Sequence, residues 1–260
     1  MDLGEPADPE LSTAAGPRTR GAVGTGYHLI TEANRARSVL PELTGATVCK
    51  LVTPRRAPAR FAEYLVELEP GAGTPGETTP PEPSFEHFVY CLAGSASTFV
   101  DGDSVTLGSG DFAFIADHDP FALCNLTGEP AQLIWVKRRY EPIAGLDRPT
   151  SRSGRRADVT EHEYIPGLWR RELTGGGDAR HDFSMILMRF APGGDLGMVE
   201  IHDEEHGLYM TAGGGRYLLD REEHRVERGD FIYMAPYCPQ GFVADASDGA
   251  EYLLYKDVFR

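Results

Sequence analysis

The stretch Gly229-Asp230-Phe231-Ile232-Tyr233-Met234-Ala235 repeats an earlier one, Gly110-Asp111-Phe112-Ala113-Phe114-Ile115-Ala116, at a distance of 119 residues. The same offset relates His87 to His206, Gly94 to Gly213, Asp101 to Asp220 and Lys137 to Lys256. A constant offset over so long a span indicates that one structural unit occurs twice. We therefore expect two domains of about 100 residues each, a size at which a domain can bury its own core.

Short runs of residues in both copies have the composition of β-strands. They are rich in Val, Ile, Tyr, Phe and Thr, and most are bounded by Gly, Pro, Asp or Asn. The runs lie at 61–68, 85–92, 96–100, 111–115, 131–137, 185–190, 207–212, 216–219, 231–234 and 252–256. Helical periodicity is weak and favours helices only at 30–40 and 158–164. This pattern predicts an all-β fold of two tandem antiparallel barrels or sandwiches.

The chain divides into four parts by composition and repeat position. We expect residues 1–40 to form an N-terminal tail or arm, since the segment begins with many Gly, Ala, Pro and charged residues. Residues 41–140 hold the first copy and residues 157–260 the second. Between them, residues 141–156 are expected to form a linker, because their Pro, Gly and Ser residues break both helix and strand.

Composition and charge argue against several classes of function. The formal net charge of −15 opposes binding to nucleic acid or to an anionic membrane, which requires clustered Lys and Arg. No apolar run approaches the roughly 20 residues that a spanning helix needs, and the N-terminus lacks the apolar core of a secretory signal. Four cysteines lie far apart, without a paired motif, which suits a reducing compartment. These features predict a cytoplasmic protein that acts on a small molecule.

The two copies differ at the positions that could bind a metal. Glu200, His202, His206 and Gln240 of the second copy correspond to Pro81, Pro83, His87 and Phe121 of the first. We expect Glu200 and His202, two residues apart on one strand, to point to the same side of the sheet and into the barrel. Two imidazoles, a carboxylate and an amide oxygen suit Mn²⁺, with Fe²⁺, Ni²⁺ and Zn²⁺ as alternatives. On an octahedral ion, four such ligands leave two positions for a substrate or water.

The first copy is expected to be structural and free of metal. Pro81, Pro83 and Phe121 have no ligating atoms in their side chains, and a single histidine such as His87 is more often a packing residue than a ligand. We expect His118 to be a surface turn residue.

The spacing of the second copy resembles that of the cupin family. Gly194, Glu200, His202, His206 and Gly213 have the spacing of the first cupin motif, and Gly229, Ala235 and Gln240 have that of the second. The ligand order Glu, His, His, Gln, together with the closing segment from Tyr252 to Asp257, resembles the (S)-ureidoglycine aminohydrolases, bicupins of allantoin and purine catabolism. The segment from Trp135 to Pro142 in the first copy agrees, so the resemblance extends from about residue 41 to the C-terminus.

This resemblance implies a fold, a reaction and roles for particular residues. The fold is a bicupin, two double-stranded β-helix or jelly-roll barrels, of which the first is degenerate. The reaction is the Mn²⁺-dependent hydrolysis of (S)-ureidoglycine to (S)-ureidoglycolate and ammonia, catalysed by a hydrolase of the amidine type. The four ligands are those named above, and Tyr252 and Lys256 contact the substrate together with Glu200 and Gln240. Tyr217 is a further candidate for the binding pocket, and bicupins generally form homo-oligomers.

The chemistry of these residues fits the implied reaction. Lys256 can pair with the carboxylate of the substrate or donate a proton to the leaving amine, and Tyr252 can hydrogen-bond the ureido group. Glu200 can serve both as a metal ligand and as a proton acceptor, so we regard Glu200 and Lys256 as the catalytic candidates.

Two other functions remain open from the sequence. One is a cupin dioxygenase or decarboxylase acting on another small acid; these enzymes normally use three histidines and a carboxylate, so Gln240 argues against that chemistry. The other is a non-catalytic cupin that binds a small ligand, against which the complete ligand set and Lys256 argue.

Overall fold

The computed structural model describes residues 20–55, 58–75 and 85–258. Strands joined by turns make up most of this part of the chain, together with single turns of 3₁₀ helix at Glu32–Asn34 and Arg156–Asp158. Up to the end of the linker, the strands are β1 (Ala22–Val23), β2 (Tyr27–Ile30), β3 (Arg37–Ser38), β4 (Thr44–Val52), β5 (Phe61–Gly73), β6 (Phe85–Ala93), β7 (Ser95–Val100), β8 (Asp103–Gly108), β9 (Asp111–Ile115), β10 (Leu123–Cys124), β11 (Ala131–Arg139) and β12 (Arg152–Arg155). The strands that follow are β13 (His162–Ile165), β14 (Leu168–Thr174), β15 (Phe183–Phe190), β16 (His206–Leu219), β17 (Glu222–Glu227), β18 (Phe231–Met234), β19 (Gln240–Ala244) and β20 (Ala250–Asp257). None of the helices in the described ranges has the length and apolar character needed to cross a membrane.

Each copy folds into one antiparallel sheet that closes into a barrel-like shape. In the first copy the strand order is β12-β9-β6-β11-β5-β10-β7-β8, with β4 paired to β5 and β3 paired to β4. The second copy runs β1-β2-β18-β16-β20-β15-β14-β13, with β17 and β19 paired to β16. The prediction of an all-β fold with two tandem antiparallel barrels is confirmed.

The strand registers show that the duplication seen in the sequence is a structural one. Lys137 on β11 lies opposite His87 on β6, and Lys256 on β20 lies opposite His206 on β16. Both glycines at the matching positions Gly94 and Gly213 have positive φ, 72° and 63°. In the first copy the chain separates into β6 and β7 at this glycine, whereas in the second it continues as the single strand β16.

Each segment that precedes one copy adds a strand to the barrel of the other copy. Strand β2, which precedes the first copy, pairs with β18 of the second barrel, from Tyr27 opposite Met234 to Ile30 opposite Phe231. Strand β12, which precedes the second copy, pairs with β9 of the first barrel. The expectation that residues 141–156 break strand structure is therefore wrong at Arg152–Arg155. Helices were also expected at 30–40 and 158–164, but these segments contain only short 3₁₀ turns and strands. Residues 1–19 of the expected tail lie outside the described residues.

Alternating side chains place three apolar cores in the molecule. One core fills each barrel, and a third lies between them, because successive residues of a strand point to opposite faces. On β20, for example, Leu253 and Tyr255 face the core between the barrels, while Tyr252 faces the interior of the second barrel. His206 and Lys256 share a face with Tyr252, so the strand period directs these polar groups into the second barrel.

Buried charges also connect the barrels. Arg138 of the first barrel, which is 2% exposed, ion-pairs with Asp182 at 3.4 Å and with Asp257, and donates a hydrogen bond to Tyr255 Oη at 2.6 Å. Arg138, from the cluster Lys137-Arg138-Arg139, therefore contributes to the interface between the barrels.

Glu63 on β5 is also buried. Burial raises the pKa of the Glu63 carboxyl to about 8, so this group is protonated near neutral pH.

Candidate metal centre

A cavity of about 100 Å³ in the second barrel brings together every site residue expected from the sequence. Strand β16 contributes its first residue, His206, and Tyr217 near its other end. Strand β20 contributes Tyr252 and Lys256, and β19 begins at Gln240, opposite Leu219. Glu200 and His202 reach the same cavity from the segment that precedes β16.

The segment that carries Glu200 and His202 differs from its expected form. Glu200 makes an isolated bridge with Gln240, through backbone hydrogen bonds of 2.8 and 3.0 Å. His202 lies in irregular structure instead of on a strand, so strand alternation does not explain its direction. Its carbonyl oxygen accepts a hydrogen bond of 2.7 Å from the backbone N–H of Tyr237. Tyr237 has a φ of +64°, and this turn holds His202 facing the cavity.

Three side chains that could ligate a metal ion, those of His202, His206 and Gln240, lie close together. His202 Nε2 lies 3.3 Å from His206 Nε2 and 3.0 Å from the side-chain nitrogen of Gln240. The two imidazole rings are nearly perpendicular, with 4.9 Å between their centroids and 75° between their planes. Rotating the Gln240 amide by a half-turn would exchange its oxygen and nitrogen at this point.

The surroundings of His206 leave its Nε2 atom with a lone pair. His206 Nδ1 lies 3.3 Å from the carbonyl oxygen of Tyr255, an acceptor, so Nδ1 carries the proton. Burial, followed by the neighbouring His202 and Lys256, lowers the pKa of His206 to about 3 and keeps the ring neutral. A carboxylate oxygen of Glu204 lies 3.0 Å from His202 Nδ1, but this nitrogen makes no hydrogen bond within the described structure.

This arrangement fits a divalent cation. The Nε2 atoms of His202 and His206, 3.3 Å apart, can share one hydrogen bond, and the same spacing lets them bind one metal ion together. Two nitrogens that each lie about 2.1 Å from one metal ion are about 3.0 to 3.4 Å apart, which includes the observed spacing. A backbone carbonyl and a carboxylate that fix the ring orientation are the usual outer partners of ligating histidines. Within the described ranges, however, no three His, Cys, Asp or Glu side chains gather closely enough to hold a metal, so Gln240 is needed beside the two histidines.

Two buried tyrosines link Gln240 to the far wall of the cavity. The Tyr217 hydroxyl donates to Gln240 Oε1 at 3.4 Å and is hydrogen-bonded in turn to Tyr252. Burial raises the pKa of both tyrosines, and the negative charge of Glu200 raises both further, so their hydroxyls stay protonated. Glu200 therefore lies near this pair, on the same cavity as the histidines.

Glu204 is a site residue that the sequence analysis missed. One of its oxygens lies 3.2 Å from Lys256 Nζ and the other 3.0 Å from His202 Nδ1. Burial acts to raise its pKa, but Lys256 and His202 outweigh burial and hold the pKa below its usual value. The acidic run Asp203-Glu204-Glu205 between the two histidines was the available signal. Glu204 thus fixes Lys256 and His202 relative to one another.

Arg170 and Tyr164 at the mouth of the cavity were also missed. They lie on β14 and β13, and the guanidinium carbon of Arg170 is 4.5 Å from the centroid of the Tyr164 ring. Arg170 forms an ion pair of 3.3 Å with Glu172. Neither residue belongs to a motif, so no sequence signal pointed to them.

The corresponding place in the first barrel is filled by aromatic rings. His87 stacks on Phe121 with 4.0 Å between centroids and 7° between planes, and Trp135 Nε1 donates a hydrogen bond of 3.1 Å to His87 Nδ1. Burial, with a smaller contribution from Lys137, lowers the pKa of His87 to about 3. His87 is thus held as a neutral packing residue. Pro81 and Pro83 lie outside the described residues, and His118 lies in an exposed turn.

Comparisons with known proteins agree with the duplication and with the expected resemblance. The family model described as the cupin domain matches residues 64–137 and 186–255, one match in each barrel. The (S)-ureidoglycine aminohydrolase of Escherichia coli strain K12 is 27% identical over 246 residues, covering 90% of this chain and 89% of that protein. The (S)-ureidoglycine aminohydrolase of Arabidopsis thaliana is 29% identical over 245 residues, covering 93% of this chain and 79% of that protein. The crystal structure of protein Ylba from E. coli superposes with a TM-score of 0.82 at 27% identity, covering 94% of this chain and 96% of that one. The resemblance to the (S)-ureidoglycine aminohydrolases is confirmed.

Proposed function

Since this chain belongs to the cupin family, we propose that its second barrel is a metal-dependent hydrolase that converts (S)-ureidoglycine to (S)-ureidoglycolate and ammonia, as a step of purine breakdown. The observation that carries the proposal is the convergence of His202 Nε2, His206 Nε2 and the Gln240 amide beside the Glu204–Lys256 ion pair. The curated relatives that share this architecture carry the name of the same activity.

The metal would be held by His202, His206 and Gln240. Glu200 lines the same cavity but does not gather with the two histidines, so its side chain would have to turn towards the ion to become the fourth ligand. We propose Mn²⁺, because a set with one carboxylate, one amide oxygen and two imidazoles suits an ion that accepts oxygen donors. The ion would act as a Lewis acid towards the substituents of the reacting carbon. The remaining roles belong to side chains of this chain.

The substrate carries a carboxylate, an amine and a ureido group on one carbon. Arg170 at the mouth of the cavity supplies a guanidinium group for the carboxylate, a pairing that Arg makes through two parallel hydrogen bonds. Tyr252 and Tyr217 remain protonated and offer hydroxyl groups to the polar ureido group. Binding through these groups orients the carbon that reacts.

The reaction exchanges the amine for a hydroxyl group from water. The bond from carbon to the amine nitrogen breaks, a bond from carbon to the water oxygen forms, and one proton passes from the water to the departing amine. Glu200 is the proton acceptor that faces the cavity, and Lys256 is an ammonium group able to protonate the leaving nitrogen. Glu204 forms an ion pair with Lys256 at 3.2 Å and so positions its Nζ atom.

The decisive experiment measures ammonia release from freshly generated (S)-ureidoglycine. Protein stripped of metal by a chelator should give only the spontaneous rate, and added Mn²⁺ should restore turnover. Lys256→Ala should lower turnover by about 10²-fold to 10⁴-fold, the usual contribution of a proton donor, while still binding metal. The matched control is Lys137→Ala, which removes the equivalent lysine of the first barrel and should leave turnover unchanged.

Each outcome bears on a different part of the proposal. Metal-loaded protein that releases ammonia at the spontaneous rate would rule out the proposed activity. Full turnover by Lys256→Ala would remove Lys256 from the mechanism, and equal losses in both lysine variants would indicate a structural effect. Oxygen uptake with a small acid would favour the dioxygenase alternative, whereas tight metal binding without turnover would favour a ligand-binding cupin.

We also propose that the protein works in the cytoplasm as a homo-oligomer. Light scattering of the purified full chain coupled to size exclusion would determine its mass, and a mass equal to one chain would refute an oligomer.

A further inference from the structure

A second cavity lies between the two barrels, away from the metal centre. Its volume is about 540 Å³, within the range of pockets that bind small molecules. Its walls come in matched pairs from the two copies, such as Tyr90 with Tyr209 and Gln132 with Glu251. The cavity therefore lies where the duplicated units face each other, and neither unit forms it alone.

One arginine in this cavity is neutralised by a carboxylate. Arg156 donates two hydrogen bonds, of 2.9 and 2.5 Å, to the two oxygens of Glu251. The hydroxyl of Thr211 donates to the same carboxylate at 2.9 Å. This pair forms part of the wall and carries no excess charge.

Two other arginines have no such neutralisation. Among residues 20–55, 58–75 and 85–258, no carboxylate oxygen lies within 4.0 Å of a side-chain nitrogen of Arg35 or Arg228. Arg35 donates instead to two uncharged acceptors, the hydroxyl of Tyr209 at 3.3 Å and the carbonyl oxygen of Gly229. Its Nε is buried and has no acceptor within the described structure. A buried N–H without an acceptor is unfavourable, so this part of the Arg35 side chain is not fully satisfied by the protein.

We propose that the cavity between the barrels binds a small hydrophilic anion that carries a carboxylate or phosphate group, held by Arg35 and Arg228. Guanidinium groups match both kinds of anion in shape and charge. The hydroxyl groups of Tyr90 and Ser109 and the amide of Gln132 line the same space and offer hydrogen bonds to further polar groups of the ligand. Glu32 lies on the same wall, so the lining holds three arginines and two carboxylates, a local excess of one positive charge in a chain whose net charge is −15.

This site is separate from the metal centre. One face of strand β20 directs Tyr252 and Lys256 into the second barrel. The opposite face of the same strand directs Glu251 towards the cavity between the barrels. Binding at the new site can therefore be measured whether or not the protein hydrolyses (S)-ureidoglycine.

The test is isothermal titration calorimetry of the full chain, dialysed against chelator, with inorganic phosphate and with succinate at constant ionic strength. Arg228→Ala should weaken binding by about 10-fold to 100-fold, the usual effect of losing a hydrogen bond to a charged group. The matched control is Arg221→Ala, which removes an exposed arginine from the other end of β17 and changes the net charge equally. A second variant, Ala93→Trp, should block the exposed mouth without removing a charge.

The two probes distinguish the sources of the anion. Tighter binding of phosphate would identify a phosphate ester as the natural class, and tighter binding of succinate a carboxylate. Failure of both probes to bind the wild-type chain would overturn the proposal. The proposal would also be overturned if Arg228→Ala and Ala93→Trp both bound the anion as tightly as the wild type. The same holds if Arg221→Ala lost as much affinity as Arg228→Ala.

Discussion

Replacing Glu63 by Met should change how stability depends on pH. Glu63 lies on β5 of the first barrel, is 1% exposed, and has no hydrogen-bond partner for either oxygen among the described residues. Gly207 on β16 lies beside it across the interface, where an added Cβ would come within 2.5 Å of Glu63 Oε2. The carboxyl is thus enclosed between the two barrels in an apolar setting, where its neutral form is favoured.

The size and sign of the effect follow from its pKa. Burial raises the pKa of Glu63 to about 8 in the folded chain, whereas an unfolded chain has a value of about 4.3. Between these values the folded state holds a proton that the unfolded state has released, so stability is greatest below the unfolded value and falls as the pH rises. The slope is about 1.4 kcal/mol per pH unit. Because of this group, the free energy of unfolding falls by about 2.7 kcal/mol as the pH rises from 5 to 7.

Urea denaturation of the wild type and of Glu63→Met at pH 5 and pH 7 measures this cost. The difference in unfolding free energy between variant and wild type should shift by about 2.7 kcal/mol in favour of the variant at the higher pH. Glu69→Met is the matched control, since Glu69 lies on the same strand and is exposed. A difference that stays constant between the two pH values, or one that Glu69→Met reproduces, would show that Glu63 is not a buried protonated carboxyl.

Three further outcomes are expected. Arg138→Met should destabilise the chain by about 3 to 5 kcal/mol in urea denaturation, because the buried Asp182 and Asp257 lose their ion pairs with Arg138, and Asp257 keeps only the more distant Arg60 at 3.6 Å; an unchanged midpoint would contradict this. Gly213→Ala should lower the melting temperature strongly in a thermal melt, since φ is +63° and the added carbon would meet backbone atoms of the adjacent strand. Gly102→Ala has a φ of +83° but open space around it, so a loss as large as that of Gly213→Ala would refute the steric argument. Tyr217→Phe should weaken Mn²⁺ binding by about 10-fold, because Gln240 loses its hydrogen-bond partner; titration that shows unchanged affinity would exclude a role for this contact.

The sequence predicted the duplication and the gathering of the site because both depend on spacing. The 119-residue offset reappears as the register that sets Lys137 opposite His87 and Lys256 opposite His206. Strand period two then places Tyr252 and Lys256 on one face without any knowledge of the fold. Such relations are local to a strand or a strand pair, so they can be recognised in a sequence.

The features that the sequence did not predict depend on contacts between distant segments. Strand β12 consists of Arg152-Ser153-Gly154-Arg155, which has no strand composition and is extended because its backbone pairs with β9. The direction of His202 depends on a hydrogen bond from Tyr237 across a turn, and the role of Glu204 depends on Lys256 reaching the same loop. Neither contact has a signature in spacing.

The exchange of β2 and β12 between the barrels has a consequence for how such a chain can be divided or can have arisen. Each barrel is completed at its edge by a strand that lies before the other copy, so cutting the chain at residue 141 would leave each half with an open sheet edge and without its partner strand. Two copies of a single-barrel ancestor that exchanged their N-terminal strands would form a domain-swapped dimer with this same pairing. Joining the two subunits in one polypeptide would make that association permanent and would free one of the two ligand sets to be lost.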